Sequence, residues 1–235
     1  MQGILLVDKP VGWTSFDVVN YVRRIVATVE AKKPKNCKVG HSGTLDPFAT
    51  GLLILLIGKQ YTRRASEFSK LDKTYEMTMR LGQISSTGDP EGDISDVSDV
   101  MPTKTEIEQA LKKFTGAIQL IPPAFSAIKI DGVRAYKLAR EGKEVIIAAR
   151  PVTVRRLELL SYNYPEVKLV ADVSSGTYIR TLVEDLGASL TTGAYTTVLR
   201  RTSIASNVVE HAITVKDLDA DKLAQNLIAE SIATG

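Results

Sequence analysis

Short apolar runs and alternating stretches recur along the chain, separated by glycine, proline and polar turns. Gly3 to Val7 reads as a short apolar strand, and Asp8-Lys9-Pro10-Val11-Gly12 as a turn. Thr14 or Ser15 can cap the helix that follows, whose apolar positions are Val18, Val19, Val22, Ile25 and Val26. Lys32 to Lys38 reads as a basic loop and Val39 to Gly51 as a loop with glycines at 40, 43 and 51. Leu52 to Ile57 is an unbroken apolar run and predicts a buried strand. A helix over about Ala65 to Leu71 precedes a strand over Thr74 to Leu81, where Tyr75, Met77, Met79 and Leu81 fall on one face.

Gly88 to Val100 is a polar, acidic loop. Thr103 followed three residues later by Glu106 is a capping box for a helix through Phe114. Ile121-Pro122-Pro123 forces extended backbone. A strand over Ser126 to Ile130, a tight turn at Asp131-Gly132 and a helix over Ala135 to Glu141 ended by Gly142 come next. Val152 to Tyr162 and Lys168 to Ser174 predict two more strands, Tyr178 to Leu190 a helix, and Thr196 to Ser203 a further strand. The elements mix without regular strand–helix alternation, and several strands are joined by short turns. That pattern points to an α+β fold with a mainly antiparallel sheet.

Composition changes this picture little. The 235 residues are 44% apolar and 24% charged, the proportions of an ordinary globular protein with a real core. The longest apolar run is far short of a membrane span, and Met1 to Asp8 lacks a basic start, so a cytoplasmic protein is expected. One cysteine, Cys37, and two histidines, His41 and His211, leave no material for a disulfide framework or a Cys/His zinc site. Net charge is only +3, but it is segregated. From Lys129 to Arg156 eight basic residues stand against three acidic, whereas Asp89 to Glu108 holds seven acids and one lysine. The first stretch suits a phosphate backbone, and equally suits a solvated surface.

The chemistry concentrates in His41-Ser42-Gly43-Thr44-Leu45-Asp46-Pro47-Phe48-Ala49-Thr50-Gly51. A carboxylate on a loop held between glycines, beside a core strand, can act as nucleophile or base. Asp46-Pro47 can also simply start a turn. Gly51 to Lys59 has the wrong spacing for a phosphate-binding P-loop, and Gln60 follows Lys59 where that motif needs Ser or Thr.

This loop resembles the signature of the bacterial TruB-type tRNA pseudouridine synthases, which modify the T-loop uridine at tRNA position 55. Four further blocks resemble the same family in the same order. They are Leu6-Val7-Asp8-Lys9-Pro10-Val11-Gly12-Trp13-Thr14-Ser15; Lys73-Thr74-Tyr75-Glu76 with Leu81-Gly82 and Ser86-Thr87-Gly88-Asp89; Ile121 to Lys129 with Gly132, Arg134, Tyr136 and Ala139-Arg140; and Ser175-Gly176-Thr177-Tyr178-Ile179-Arg180 with Leu199-Arg200-Arg201-Thr202. The resemblance implies a pseudouridine synthase fold, a mixed, mainly antiparallel sheet flanked by helices and loops. It implies Asp46 as nucleophile, Arg180 as the cation that favours its ionised form, and Tyr75 as the ring on which the flipped base stacks. Leu199 is implied in the pocket lining and His41 in RNA binding. Lys9, Lys129, Arg134, Arg140 and Arg200 fall in family motifs as candidates for phosphate or structural contacts.

An isomerisation that breaks a C–N bond and forms a C–C bond needs no cofactor and no metal, and none is expected. The expected partner is the T-arm of tRNA, with no membrane and no obligatory protein partner, and a monomer is expected. Many family members continue into an RNA-binding PUA domain. Here residues 1–205 read as the catalytic domain and 206–235 as a short acidic tail with no complete PUA domain; it holds Glu210, Asp217, Asp219, Asp221 and Glu230 against two lysines. Val173 stands where relatives often have cysteine, and Ile204-Ala205-Ser206 departs from the usual glycine-containing turn. Two other readings remain beside the synthase: a non-catalytic RNA-folding module, and a synthase of other RNAs that works with guide RNA and partner proteins.

Overall fold

The structure, a computed structural model, describes all residues except Ala127, Asp131, Glu144 and 230–235. Asp131 of the expected turn, Ala127 of the expected Ser126 to Ile130 strand and Glu230 of the tail thus lie outside the described residues. In chain order the elements are β1 (Gly3–Lys9), α1 (Ser15–Val29), β2 (Val39–His41), β3 (Thr50–Ile57), α2 (Lys59–Thr62), α3 (Ala65–Ser69), β4 (Lys73–Leu81), β5 (Gln83–Ser85), β6 (Ile94–Asp96), α4 (Lys104–Lys113) and β7 (Gly116–Leu120). There follow β8 (Lys129–Ile130), β9 (Val133–Arg134), α5 (Ala135–Arg140), β10 (Arg150–Asn163), β11 (Glu166–Val173), α6 (Ile179–Ser189), β12 (Ala194–Ile204), β13 (Asn207–Val208), β14 (Ile213–Thr214) and α7 (Ala220–Gln225). Among the described residues no helix is long and apolar enough to cross a membrane.

The chain divides into two compact units, Met1–Glu76 with Leu199–Gly235, and Met77–Val198. Strands β4 and β12 each run through the division.

In the first unit the strand order is β14-β1-β3-β12, with β2 also on β3 and β13 on β12. β1 pairs antiparallel with β3, β14 parallel with β1, and β12 parallel with β3. The run Leu52 to Ile57 is apolar throughout because both faces of β3 are covered. Leu53, Leu55 and Ile57 join Leu5, Val7 and the buried face of α1 (Val18, Val19, Val22, Val26). Leu52, Ile54 and Leu56 join Ile4, Leu6, Tyr61, Phe68 and Ile204 on the other side. Thr14 caps α1 through a full capping box with Asp17. The segment after β12 packs here too: Val209, Val215, Leu218 and Leu223 are buried, and Ile228 exchanges two backbone hydrogen bonds with Ile4. Part of the outer edge of β1 is thereby paired.

β3 begins at Thr50, two residues earlier than its apolar run, because Gly51 lies against β12. Its φ is +104°, and a Cβ there would sit 2.3 Å from the Arg201 carbonyl oxygen and 2.7 Å from the Arg201 nitrogen. Gly51→Ala meets both a disfavoured backbone conformation and a backbone clash. It is expected to cost about 3 kcal/mol or more in urea unfolding. A loss under about 0.5 kcal/mol, the level of an ordinary surface change, would contradict this close approach.

The second unit has the strand order β4-β11-β10-β7, with β10 antiparallel to both neighbours. Tyr75, Met77, Met79 and Leu81 of β4 are all buried, as their alternation requires. Thr103 and Glu106 form the capping box of α4. The fold is therefore α+β with a mixed, mainly antiparallel sheet. Val39 to His41, expected as loop, pairs with β3 instead, and Ile94–Asp96, in the acidic stretch, pairs with β5. Lys59–Thr62 and Gly116–Leu120 form a helix and a strand that the pattern did not indicate. Among the described residues of the expected Ser126 to Ile130 strand, only Lys129–Ile130 is extended in a ladder.

Candidate active site

The loop that carries Asp46 is fixed on both sides of that residue by the opening segment of the chain. Ser15, the first residue of α1, accepts a hydrogen bond from the Leu45 nitrogen at 2.8 Å and donates one to the Leu45 oxygen at 3.1 Å. On the other side, the Gly12 nitrogen donates to the Pro47 oxygen at 2.8 Å. Lys9 is wholly buried, and its ammonium donates to the carbonyls of Pro10, Trp13 and Pro47. The Lys9 ammonium thus lies under the loop, bonded to backbone on either side of it. The Ala49 nitrogen returns to the Asp46 oxygen at 3.1 Å, and Leu45 and Ala49 are buried. Asp46 itself is half-buried. A carboxylate held so on both flanks has little freedom to lose when it reacts.

His41 closes β2, half-buried, and its Nδ1 accepts from the Gly43 nitrogen at 3.3 Å. Tyr75 and Leu199 belong to the same unit as Asp46 and are 7% and 6% exposed. Arg200 makes a bidentate pair with Asp8 (3.1 and 2.7 Å). The hydrogen bonds to Asp8 raise the Arg200 pKa above its ordinary value, with burial opposing. Its neighbour Arg201, quoted in the motif but given no role, is the more deeply placed: it is 1% exposed and donates to the carbonyls of Leu52 and Gly43.

The other named residues lie in the second unit. Arg180 stands in the first turn of α6, where no acidic side chain offsets the helix dipole. The compensation comes from Asp89: Arg180 Nη1 donates to Asp89 Oδ2 at 3.0 Å and to the Thr87 oxygen at 2.9 Å, while Nη2 donates to the Phe125 oxygen at 2.8 Å. Both side chains are about 5% exposed or less. Asp89 also accepts from Thr87 Oγ1 and from the Glu91 nitrogen. Glu184 follows one turn after Arg180; burial holds its carboxyl above the usual range, partly offset by Arg180. Asp89, quoted in the Ser86-Thr87-Gly88-Asp89 block, has no role that the residue types alone assign. In the sequence it is one of three acids within five residues, with Glu91 and Asp93; the structure sets it apart by its burial.

Lys129 and Arg134 face each other across the β8–β9 ladder, both exposed. Arg140, also exposed, stands over the ring of Tyr136, 5.6 Å from its centroid. Among the described residues no group of three or more His, Cys, Asp or Glu side chains is clustered as metal ligands.

The geometry is thus a rigidly flanked carboxylate in a unit that also holds a buried tyrosine and buried cations. Residues 29–179 match the family model described as TruB family pseudouridylate synthase (N terminal domain). The chain is 44% identical over 220 residues to a protein named tRNA pseudouridine synthase B from Burkholderia mallei (strain NCTC 10247), covering 94% of this chain and 70% of the relative. A protein of the same name from Arthrobacter sp. (strain FB24) is 43% identical over 225 residues, 93% of this chain and 71% of the relative. Among solved structures, a chain of a Cbf5-Nop10-Gar1 complex aligns with a TM-score of 0.67 at 29% identity. A chain of an H/ACA RNP bound to a substrate RNA containing 2'-deoxyuridine aligns with a TM-score of 0.64 at 27% identity. Each alignment covers 92% of this chain and about half of the solved one (53% and 52%). The protein class is pseudouridine synthase. Within it, the chain belongs to the TruB family.

Proposed function

We propose that this protein converts the T-loop uridine at position 55 of tRNA to pseudouridine, with Asp46 as nucleophile. The observation that carries the reading is the clamp on Asp46: Ser15 on Leu45, and Gly12 with Lys9 on Pro47, leave the carboxylate fixed at the loop between them. That precision serves a group that must meet a reacting atom, not one that merely opens a turn. Tyr75 supplies the aromatic face for the extruded base, and Leu199 an apolar wall. On the strength of the motif match, Arg180 is the cation on which an ionised Asp46 depends. His41, at the end of β2, engages the RNA, as do Arg200 and, in the second unit, Lys129, Arg134 and Arg140. Lys129 and Arg134, opposite each other on an exposed ladder, place two basic side chains where a phosphate backbone could meet them.

The reaction breaks the N1–C1′ bond, turns the uracil and joins its C5 to C1′; the C5 proton is lost and N1 takes up a proton, so the product is an isomer of the substrate. Asp46 assists the cleavage, and the pocket holds the base throughout. The protein acts in the cytoplasm, as a monomer and without a partner protein. The tRNA substrate is favoured over other RNAs by the 44% identity to proteins named for tRNA, against 29% to a chain from a multi-protein complex. Release of tritium from C5-labelled uridine in a tRNA transcript tests the activity. Release is expected from the transcript with uridine at position 55 and none when cytidine replaces it. Equal release from both would move the reading to another site.

A further inference from the structure

Two cations are buried side by side against the loop that carries Asp46. Arg201, on β12, is 1% exposed; its Nε donates to the Leu52 oxygen at 2.7 Å and its Nη2 to the Gly43 oxygen at 3.2 Å. Lys73, first residue of β4, is 9% exposed and donates to the carbonyls of Ser69, at 3.1 Å, and Leu71. Both border Gly43: a Cβ there would stand 3.7 Å from Arg201 Nη1 and 3.8 Å from Lys73 Cε. The acceptors on both side chains are neutral carbonyls. Burial first, and then the charge of Arg201, push the Lys73 ammonium down to about 8, with only Asp72 acting the other way. Two like charges held in a dry site are an unfavourable arrangement for the fold taken alone.

Resting on the proposed activity, we propose that Arg201 and Lys73 are positioning residues for the nucleophile. Arg201 ties Gly43 to the start of β3, three residues before Asp46, and so sets the height at which the carboxylate stands. The fixed positive charge of the pair favours the carboxylate form of Asp46 over the acid. The fork of a guanidinium suits the first task, because it holds two carbonyls at once where an ammonium holds a single point.

The lowered pKa of Lys73 makes the stability of the fold depend on pH. At pH 7 it is charged both folded and unfolded, and the buried charge costs stability in full. As pH rises from about 8 towards 10.5 the folded state sheds the proton first, and the cost is relieved. Lys73→Met therefore has an expected urea midpoint at or above wild type at pH 7, with the advantage shrinking by pH 10. Its single-turnover rate on tRNA is nevertheless expected to fall about 10- to 100-fold with unchanged tRNA affinity, and Lys73→Arg to restore most of it. Arg201→Lys is expected to lose about 100-fold in rate at unchanged affinity. If Arg201→Lys does not fold, the two Lys73 variants decide. A wild-type rate in Lys73→Met, or a rate loss accompanied by lost stability and not restored by Lys73→Arg, overturns the proposal while leaving the proposed activity standing. A wild type that makes no pseudouridine overturns both.

Discussion

Asp46→Asn is expected to lower the rate of pseudouridine formation at least about a thousandfold while leaving tRNA binding and urea stability near wild type. Asparagine has the same shape, and the flanking hydrogen bonds pass through Leu45, Pro47 and the Asp46 backbone oxygen, which the change does not touch. The half-buried side chain keeps its place and loses its charge and nucleophilicity. A variant that fails to fold would show Asp46 to be part of the loop's framework. A variant that folds, binds and reacts at the wild-type rate would remove Asp46 from the chemistry and favour a role in RNA folding.

The second large effect is on stability. Arg180→Met leaves Asp89 buried without its ion-pair partner, and is expected to cost about 3–5 kcal/mol in urea unfolding. Asp89→Asn introduced on top of it is expected to recover part of that loss. The amide no longer carries a buried charge, and the bonds from Thr87 and Glu91 can still reach its oxygen. Losses from the two substitutions that simply add would mean that the pair is not coupled. Activity in Arg180→Met should fall further than its stability explains, measured well below its unfolding midpoint, if the cation also serves Asp46.

Much of the fold could be read in the chain because the local signals agree with one another. Capping boxes at Thr14 and Thr103 fall where the helices begin, and the alternation from Tyr75 to Leu81 matches its buried face. Short pairings escaped because their stability is tertiary. Val39–His41 pairs with β3 and Gly116–Leu120 with β10, partners distant in sequence that no local pattern reveals. The acidic count of the final segment hid its packing; Val209, Val215, Leu218 and Leu223 carried that information.

At the site, the family resemblance singled out Asp46, but not the residues that hold its loop. Nothing local tells that Ser15 and Lys9 reach a loop 30 and 38 residues away, or that Arg201 and not Arg200 is the buried guanidinium of the pair. Such contacts are set by register: Arg201 is the residue opposite Gly51 on β3, and its side chain turns inward. The net charge of +3 includes Lys9, Lys73 and Arg201, although each is buried.

The measurement that bears most directly on this account is the mapping of pseudouridine, at single-nucleotide resolution, in an unmodified tRNA transcript incubated with wild type and with Asp46→Asn. Pseudouridine is expected at the T-loop uridine with wild type and none with the variant. A transcript that binds the wild-type protein and emerges unmodified, or one modified equally by both proteins, would contradict it.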